Sequence, residues 1–198
     1  MLRHWIPKEQ LIIDGLCKNK NPNAISFLEQ NQDKIVLNTW SWSCLSRNPN
    51  AVHMLEKNPE RIDWWWLSRN PNAIELLMKN QDKIKWNWFS LNPNAISILE
   101  QNPDKIDWEL LCENPNAIEL LTKNMDKIEK IVNLKFLSNN PNAIHLLEQK
   151  PEIIDWEMLS YNPNAISILE KNLDEIYWDI LSMNPNAIPL LEQYPDRV

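Results

Sequence analysis

The four residues Asn-Pro-Asn-Ala occur eight times in this chain, beginning at Asn21, Asn48, Asn70, Asn92, Asn114, Asn140, Asn162 and Asn184. The motif therefore returns after 27, 22, 22, 22, 26, 22 and 22 residues. A period of this size is the signature of a stacked array, in which each unit is too small to bury its own apolar face and leans on its neighbours. All eight alanines of the 198 residues fall inside the motif, at Ala24, Ala51, Ala73, Ala95, Ala117, Ala143, Ala165 and Ala187. A residue type confined to one place in a repeat is held there by local sterics, here by the close approach of adjacent backbones.

Numbering the 22 positions of a unit as slots 1 to 22 separates the local signals. Asn at slot 1 and Pro at slot 2 start a helix. The first caps free amides, and the second brings a preset φ where its missing N–H costs nothing. Slots 4, 5, 7 and 8 are apolar, as in Ala95, Ile96, Ile98 and Leu99, while slots 6, 9 and 10 are polar. This stripe predicts helix A, about nine or ten residues long with one buried face. Two insertions, VLNTW after Ile35 and EKIV after Ile128, fall between slots 15 and 16. A helix interior would lose register there, whereas a turn absorbs added residues, so slots 11 to 15 are expected to be a short turn with room for one turn of 3₁₀ helix.

Helix B is expected to begin at slot 16, where Asp63, Asp107, Asp155, Asn133 and Ser41 can cap it and Lys85 and Tyr177 are poor caps. Slot 17 is Trp in six units (Trp42, Trp64, Trp86, Trp108, Trp156 and Trp178), slot 20 is Leu or Phe, and slot 21 is Ser or Cys. That spacing predicts an apolar face with the tryptophans in the core, each removing roughly 150–250 Å² from water. Asn92, Pro93, Ala95, Trp108 and Leu111 stand for the structural positions of every unit. The expected fold is all-α: an α-solenoid of eight short helix–turn–helix repeats. Residues 1–20 should form an N-terminal cap, with a helix over 7–18, and residues 21–198 the array. The last unit stops at slot 15 without a helix B and carries Pro189 inside its helix A.

Tandem units of this form, NPNAI at 92–96 followed by LEQNPDKIDW at 99–108, are similar to repeats in proteins of giant DNA viruses that infect amoebae, marseilleviruses among them. The likeness covers residues 21–198. It implies a short-repeat α-solenoid and a viral setting, in the cytoplasm of the infected host or in the virion. It brings no catalytic residues. A looser resemblance is to leucine-rich variant repeats, which alternate an α-helix with a 3₁₀ turn.

Composition excludes several function classes. The longest apolar runs are a few residues, too short for a membrane span, and the N-terminal MLRHWIPKEQLIIDG has no signal-peptide core. Three cysteines, Cys17, Cys44 and Cys112, suit neither a disulfide framework nor a zinc site. A lone glycine, Gly15, rules out a phosphate-binding glycine loop. His53 and His145 both occupy slot 6, on the exposed side of different units, and form no metal site. Carboxylates recur at slot 13, usually before Lys or Arg, as a surface array of charge. No nucleophile stands beside a base at a recurring spacing, which predicts a non-catalytic chain with no cofactor. Asn at slot 3 is a mediocre helix former and is expected to link adjacent repeats by side-chain hydrogen bonds.

The candidate binding residues lie on helix B. Trp65 is a lone Trp at slot 18, where other units carry Ser43, Asn87, Glu109, Lys135, Glu157 and Asp179; it is either a surface anchor or a filler beside Trp64 and Trp66. Slot 22 varies most, with Arg47, Arg69, Leu91 and Glu113 followed by Asn139, Tyr161 and Met183, and is free either for recognition or to drift. Slots 18 and 22 lie one turn apart and can share a surface. Of these, Trp65, Arg47, Arg69, Leu91, Tyr161 and Met183 are the candidate partner-binding set. The expected function is a protein–protein interaction scaffold. The alternative is a nucleic-acid-binding repeat protein, against which a net charge of −7 and the lack of a basic stripe both count.

Overall fold

A computed structural model describes residues 13–31, 37–130 and 134–197, apart from the Lys127 side chain. The described residues are all helix, turn and connection, with no strand, and short helices follow one another in a repeating pattern. The chain divides into two compact units, residues 1–95 and 96–198, and each is an all-α stack of the same repeat.

The repeat unit starts more tightly than its sequence predicts. In the unit beginning at Asn70, the Asn72 amide donates to Asn70 Oδ1 at 3.0 Å and the Ala73 amide to the Asn70 carbonyl at 3.1 Å. These two bonds close a 3₁₀ turn over Pro71–Ala73, and the α-helix follows as Ile74–Met78. Ala73, at φ −94° and ψ 8°, sits in the bridge region between the two. Helix A is accordingly four to six residues long in Val52–Glu56, Ile74–Met78, Ile96–Gln101, Ile118–Lys123, Ile144–Gln149, Ile166–Leu169 and Ile188–Gln193. Only the first, Pro22–Gln30, reaches the expected length. The late start also removes the anomaly of Pro189, which stands in the first turn of Ile188–Gln193, where no amide partner is missed.

Asn at slot 11 closes helix A: the side chains of Asn58, Asn80 and Asn102 donate to carbonyls four residues back, at 2.9, 2.8 and 2.8 Å. The expected 3₁₀ turn follows at Pro59–Arg61, Gln81–Lys83, Pro103–Lys105, Pro151–Ile153, Leu173–Glu175 and Pro195–Arg197. Where EKIV is inserted, the segment is instead α-helical, Met125–Ile128. Asp63, Asp107 and Asp155 cap helix B through their carboxylates, and Lys85 and Tyr177 make no side-chain cap bond. Ser41 does not cap. The VLNTW insertion supplies Asn38, whose side chain accepts from the Ser41 amide at 2.8 Å, and helix B there runs Thr39–Arg47. Asn133 lies outside the described residues.

The core differs from the expected one: Ile at slot 15 joins it, as in Ile62, Ile84 and Ile128, and most slot-17 tryptophans do not. Ala at slot 4, Leu at slot 8 and Leu or Phe at slot 20 are buried, as in Ala73, Leu77 and Phe89 or Ala165, Leu169 and Leu181. Leu111 and Ala95 are fully buried, as is Asn92, while Pro93 is half-buried. Among the slot-17 tryptophans only Trp108 is buried; Trp42, Trp64, Trp86, Trp156 and Trp178 are half-buried. Outside Thr39–Arg47, each helix B that carries this tryptophan starts with it, so the side chain sits at the helix end, and the slot-20 residue one turn later takes the centre of the layer.

Hydrogen bonds between repeats explain the motif. The slot-1 amide group donates both of its hydrogens backwards. Asn70 Nδ2 reaches the Ser46 and Asn48 carbonyls, each at 3.0 Å, and Asn162 Nδ2 reaches Ser138 at 2.8 Å and Asn140 at 3.0 Å. Its Oδ1 meanwhile accepts the slot-3 amide. Asp and Ser lack the second donor, and Lys and Arg lack the acceptor, so only an amide side chain fills the place. The slot-3 link expected from the sequence is also present: Asn72 Nδ2 donates to the Pro49 carbonyl at 3.0 Å and Asn164 Nδ2 to Pro141 at 2.9 Å. Ser at slot 21 does more than pack: Ser46 Oγ accepts the Asp63 amide at 3.0 Å and Ser138 Oγ the Asp155 amide at 2.9 Å. No buried side-chain nitrogen or oxygen among the described residues lacks a partner.

At the N-terminal end the ladder begins two residues before the first motif. Asn48 Nδ2 donates to Cys17 and Asn19, and Asn50 Nδ2 to Lys20. Asn19 Oδ1 accepts the Asn21 amide at 2.9 Å, so Asn19-Lys20-Asn21 occupies the place that Asn-Pro-Asn fills elsewhere. The helix ahead of it is Ile13–Lys18; the rest of the expected 7–18 helix lies outside the described residues.

Candidate interaction surface

The stack uses slots 1, 3, 4, 7, 8, 15, 20 and 21, which leaves the outer side of helix B to vary. In the first unit of the chain that side is aromatic and cationic. Trp65 is 50% exposed, and its ring meets Trp88 edge to face with centroids 6.3 Å apart. Trp88 in turn meets Trp66 at 5.1 Å, so Trp65 belongs to a cluster and also faces water. It packs as a filler, against Trp88, and half of its surface stays open to water. Lys85 Nζ lies 5.4 Å from the Trp65 centroid, Arg47 lies 5.0 Å from that of Trp66, and Lys18 lies 5.1 Å from that of Trp40. Each is within reach of the attraction between a cation and a ring face.

Arg47 is exposed and Arg69 half-buried, and they close successive B helices of this unit. Leu91 is a correction to the candidate set: it is buried, because an aliphatic side chain at this helix end gains by lying against apolar surface, and it offers a partner almost nothing. In the second unit Tyr161 and Met183 are exposed, at 48% and 59%. Sequence reasoning missed Trp40, which is 52% exposed. It lies in the VLNTW insertion, outside the 22-residue frame, so no comparison between repeats could single it out. Lys18 and Lys20 precede the first motif and were missed for the same reason.

Two grooves open on the first unit. One, of about 410 Å³, is lined by Lys18, Lys20, Trp40, Arg47 and Trp66, with Cys44 and Asn48 at its floor. The other, of about 510 Å³, has Trp64, Trp65, Arg61 and Lys85 together with Glu60 and Asp63. No ion pair involves Lys18, Lys20 or Arg47 among the described residues. Net charge divides between the units in the same sense. Residues 1–95 hold 12 Lys and Arg against 9 Asp and Glu, and residues 96–198 hold 8 against 18.

Among the described residues the cysteines are buried and the two histidines paired. Burial pushes the Cys17 and Cys112 thiols up to about 12, and raises Cys44 against the opposing field of Lys18, so none is a ready thiolate. Cys112 instead takes the place of a slot-21 Ser, its Sγ bonded to the Trp108 carbonyl at 3.3 Å. His53 is exposed and meets Glu29 at 2.9 Å; His145 is exposed and bonds Gln149. No cluster of His, Cys, Asp and Glu able to hold a metal occurs among the described residues. No described helix is long and apolar enough to cross a membrane. Slot-13 carboxylates pair within their own repeat, Glu60 with Arg61 and Asp82 with Lys83, on exposed turns. Set against family models, curated proteins and solved structures, the chain matches none.

Proposed function

We propose that the chain is a non-catalytic scaffold that binds a protein partner through the outer side of its B helices, chiefly in residues 1–95. The observation that carries this reading is the exposed Trp65 within a cluster of Trp66 and Trp88. Tryptophan and arginine are the residues that most often dominate binding energy at protein interfaces, and a ring already fixed by neighbours loses little freedom on binding. No buried side-chain nitrogen or oxygen among the described residues lacks a partner, so the stack places no demand on the outer surface. On the resemblance of its repeats, the chain is a viral protein acting in the host cytoplasm or the virion.

A pull-down from amoebal lysate tests the reading, using the protein and its Trp65→Ser variant, each with and without nuclease. Proteins held by the parent, lost by the variant and indifferent to nuclease are the expected result. Retention that disappears with nuclease would replace the reading by nucleic-acid binding.

A further inference from the structure

The groove beside helix Thr39–Arg47 has a composition unlike the chain that contains it. Three cations, Lys18, Lys20 and Arg47, line it with two tryptophans, Trp40 and Trp66, and no described lining residue is acidic. The chain as a whole is acidic, at −7. The nearby carboxylate of Asp14, one helix away, is engaged by Ser41 Oγ at 2.8 Å. Arg47 lies over the Trp66 ring, and a guanidinium so placed keeps its N–H fork available for a carboxylate while its orientation is already set. The volume of about 410 Å³ is that of a binding cleft.

We infer that this groove receives an acidic peptide segment of the partner, carboxylates on Lys18, Lys20 and Arg47 and an apolar side chain on Trp40. The inference rests on the protein-scaffold reading above and names the chemistry of its partner. A short acidic segment fits better than a nucleic-acid strand because the charge turns mixed beyond this groove, where Arg61 and Lys85 stand with two carboxylates. The second groove, which shares Ser43 as a wall, brings Glu60 and Asp63 to the surface that a longer polyanion would have to cross. A phosphate backbone gains affinity by neutralising many charges in succession, and three cations supply only the first few.

The test is fluorescence anisotropy with a fluorescein-labelled dodecapeptide of Asp and Glu around a central Leu-Trp pair. A peptide with Gln and Asn in place of the acids and a labelled dT12 strand serve as comparisons. Saturable binding of the acidic peptide is expected, at least tenfold tighter than that of the amide peptide or of dT12. It should weaken at least tenfold on Arg47→Glu or when salt rises from 50 to 500 mM. Arg47 is exposed, so the variant should keep the parent's helical circular dichroism; Trp40→Ala supplies a second, charge-neutral variant with the same expected loss. Equal affinity of parent and both variants, or no binding, overturns the assignment. Tighter binding of dT12 overturns it in favour of a nucleic acid. Salt-sensitive self-association of the parent that Arg47→Glu abolishes overturns it in favour of a second copy, whose residues 96–198 are acidic. A lysate partner lost by Trp65→Ser and still held by Arg47→Glu would leave the scaffold standing and remove only the groove.

Discussion

Residues 1–95 and 96–198 are stacked by the same bonds and dressed with different surfaces. Asn70 and Asn162 donate to the same two carbonyl positions, and Asn72 and Asn164 to the same proline position. At slots 18 and 22, by contrast, the first unit carries Ser43 and Arg47, Trp65 and Arg69, Asn87 and Leu91. The second carries Glu109 and Glu113, Lys135 and Asn139, Glu157 and Tyr161, Asp179 and Met183. The sign of the charge changes while the stack does not. Stacking and surface charge are thus held by separate slots of one repeat, so either can change without the other.

That separation can be broken by measurement. The largest effect should come from Trp108→Ala, because this is the one slot-17 ring that is buried: a loss of about 3–5 kcal/mol in urea unfolding. Next, Asn70→Ala and Asn162→Ala should each cost about 2–4 kcal/mol, since each removes a cap and takes the side-chain donor from the Ser46 or Ser138 carbonyl, while the Asn48 and Asn140 carbonyls keep the Ala51 and Ala143 amides. The two values should agree; a much smaller cost in one unit would mean that the rungs are not equivalent. Slot 3 is exposed and makes one link, so Asn72→Glu and Asn164→Glu should cost about 0.5–1.5 kcal/mol each. Trp65→Ser should lower stability by less than about 1 kcal/mol while abolishing partner binding. A larger loss would make Trp65 a structural residue.

An alkaline titration sharpens the same contrast. The buried Cys17 and Cys112 thiols are raised to about 12 from an ordinary value of 9.0. Between those values the unfolded chain releases protons that the folded chain retains, so their contribution to stability falls as pH rises and is fully present below pH 9. Cys112→Ser places at slot 21 the residue found there in Ser46, Ser68, Ser90, Ser138 and Ser160. Its stability should therefore decline less steeply than the parent's from pH 9 to 12, and an unchanged slope would contradict the burial of that thiol.

The repeat, its helices and its 3₁₀ turn were legible because Asn-Pro starts, slot-15 insertions and Leu spacing are local signals. The buried rung at slot 1 was not, for a physical reason: capping already explained an Asn there, and nothing in one strand of sequence distinguishes a spent donor from a solvated one. The tryptophans misled in the other direction. Their spacing from slots 20 and 21 suggested the core, but a short helix leaves its first residue at the rim, and Leu45, Leu67, Leu159 and Leu181 fill the centre. Trp65 was visible as an exception to its column, and Trp40 was invisible because it stands in no column.

The backward-pointing rung also bears on how long such a protein can be. Each slot-1 Asn refers only to the repeat behind it, as Asn92 does to Ser68 and Asn70 and Asn70 does to Ser46 and Asn48. Excising residues 70–91 would bring Asn92 onto the acceptors that Asn70 uses now, with the seam chemically identical to the one removed. Across the four-residue insertion the bonds survive as well, with Asn140 reaching Cys112 and Asn114 over 28 and 26 residues. Copy number is therefore a free variable of this architecture: unequal recombination can lengthen or shorten it by whole units, each event yielding a chain that still closes its own hydrogen bonds.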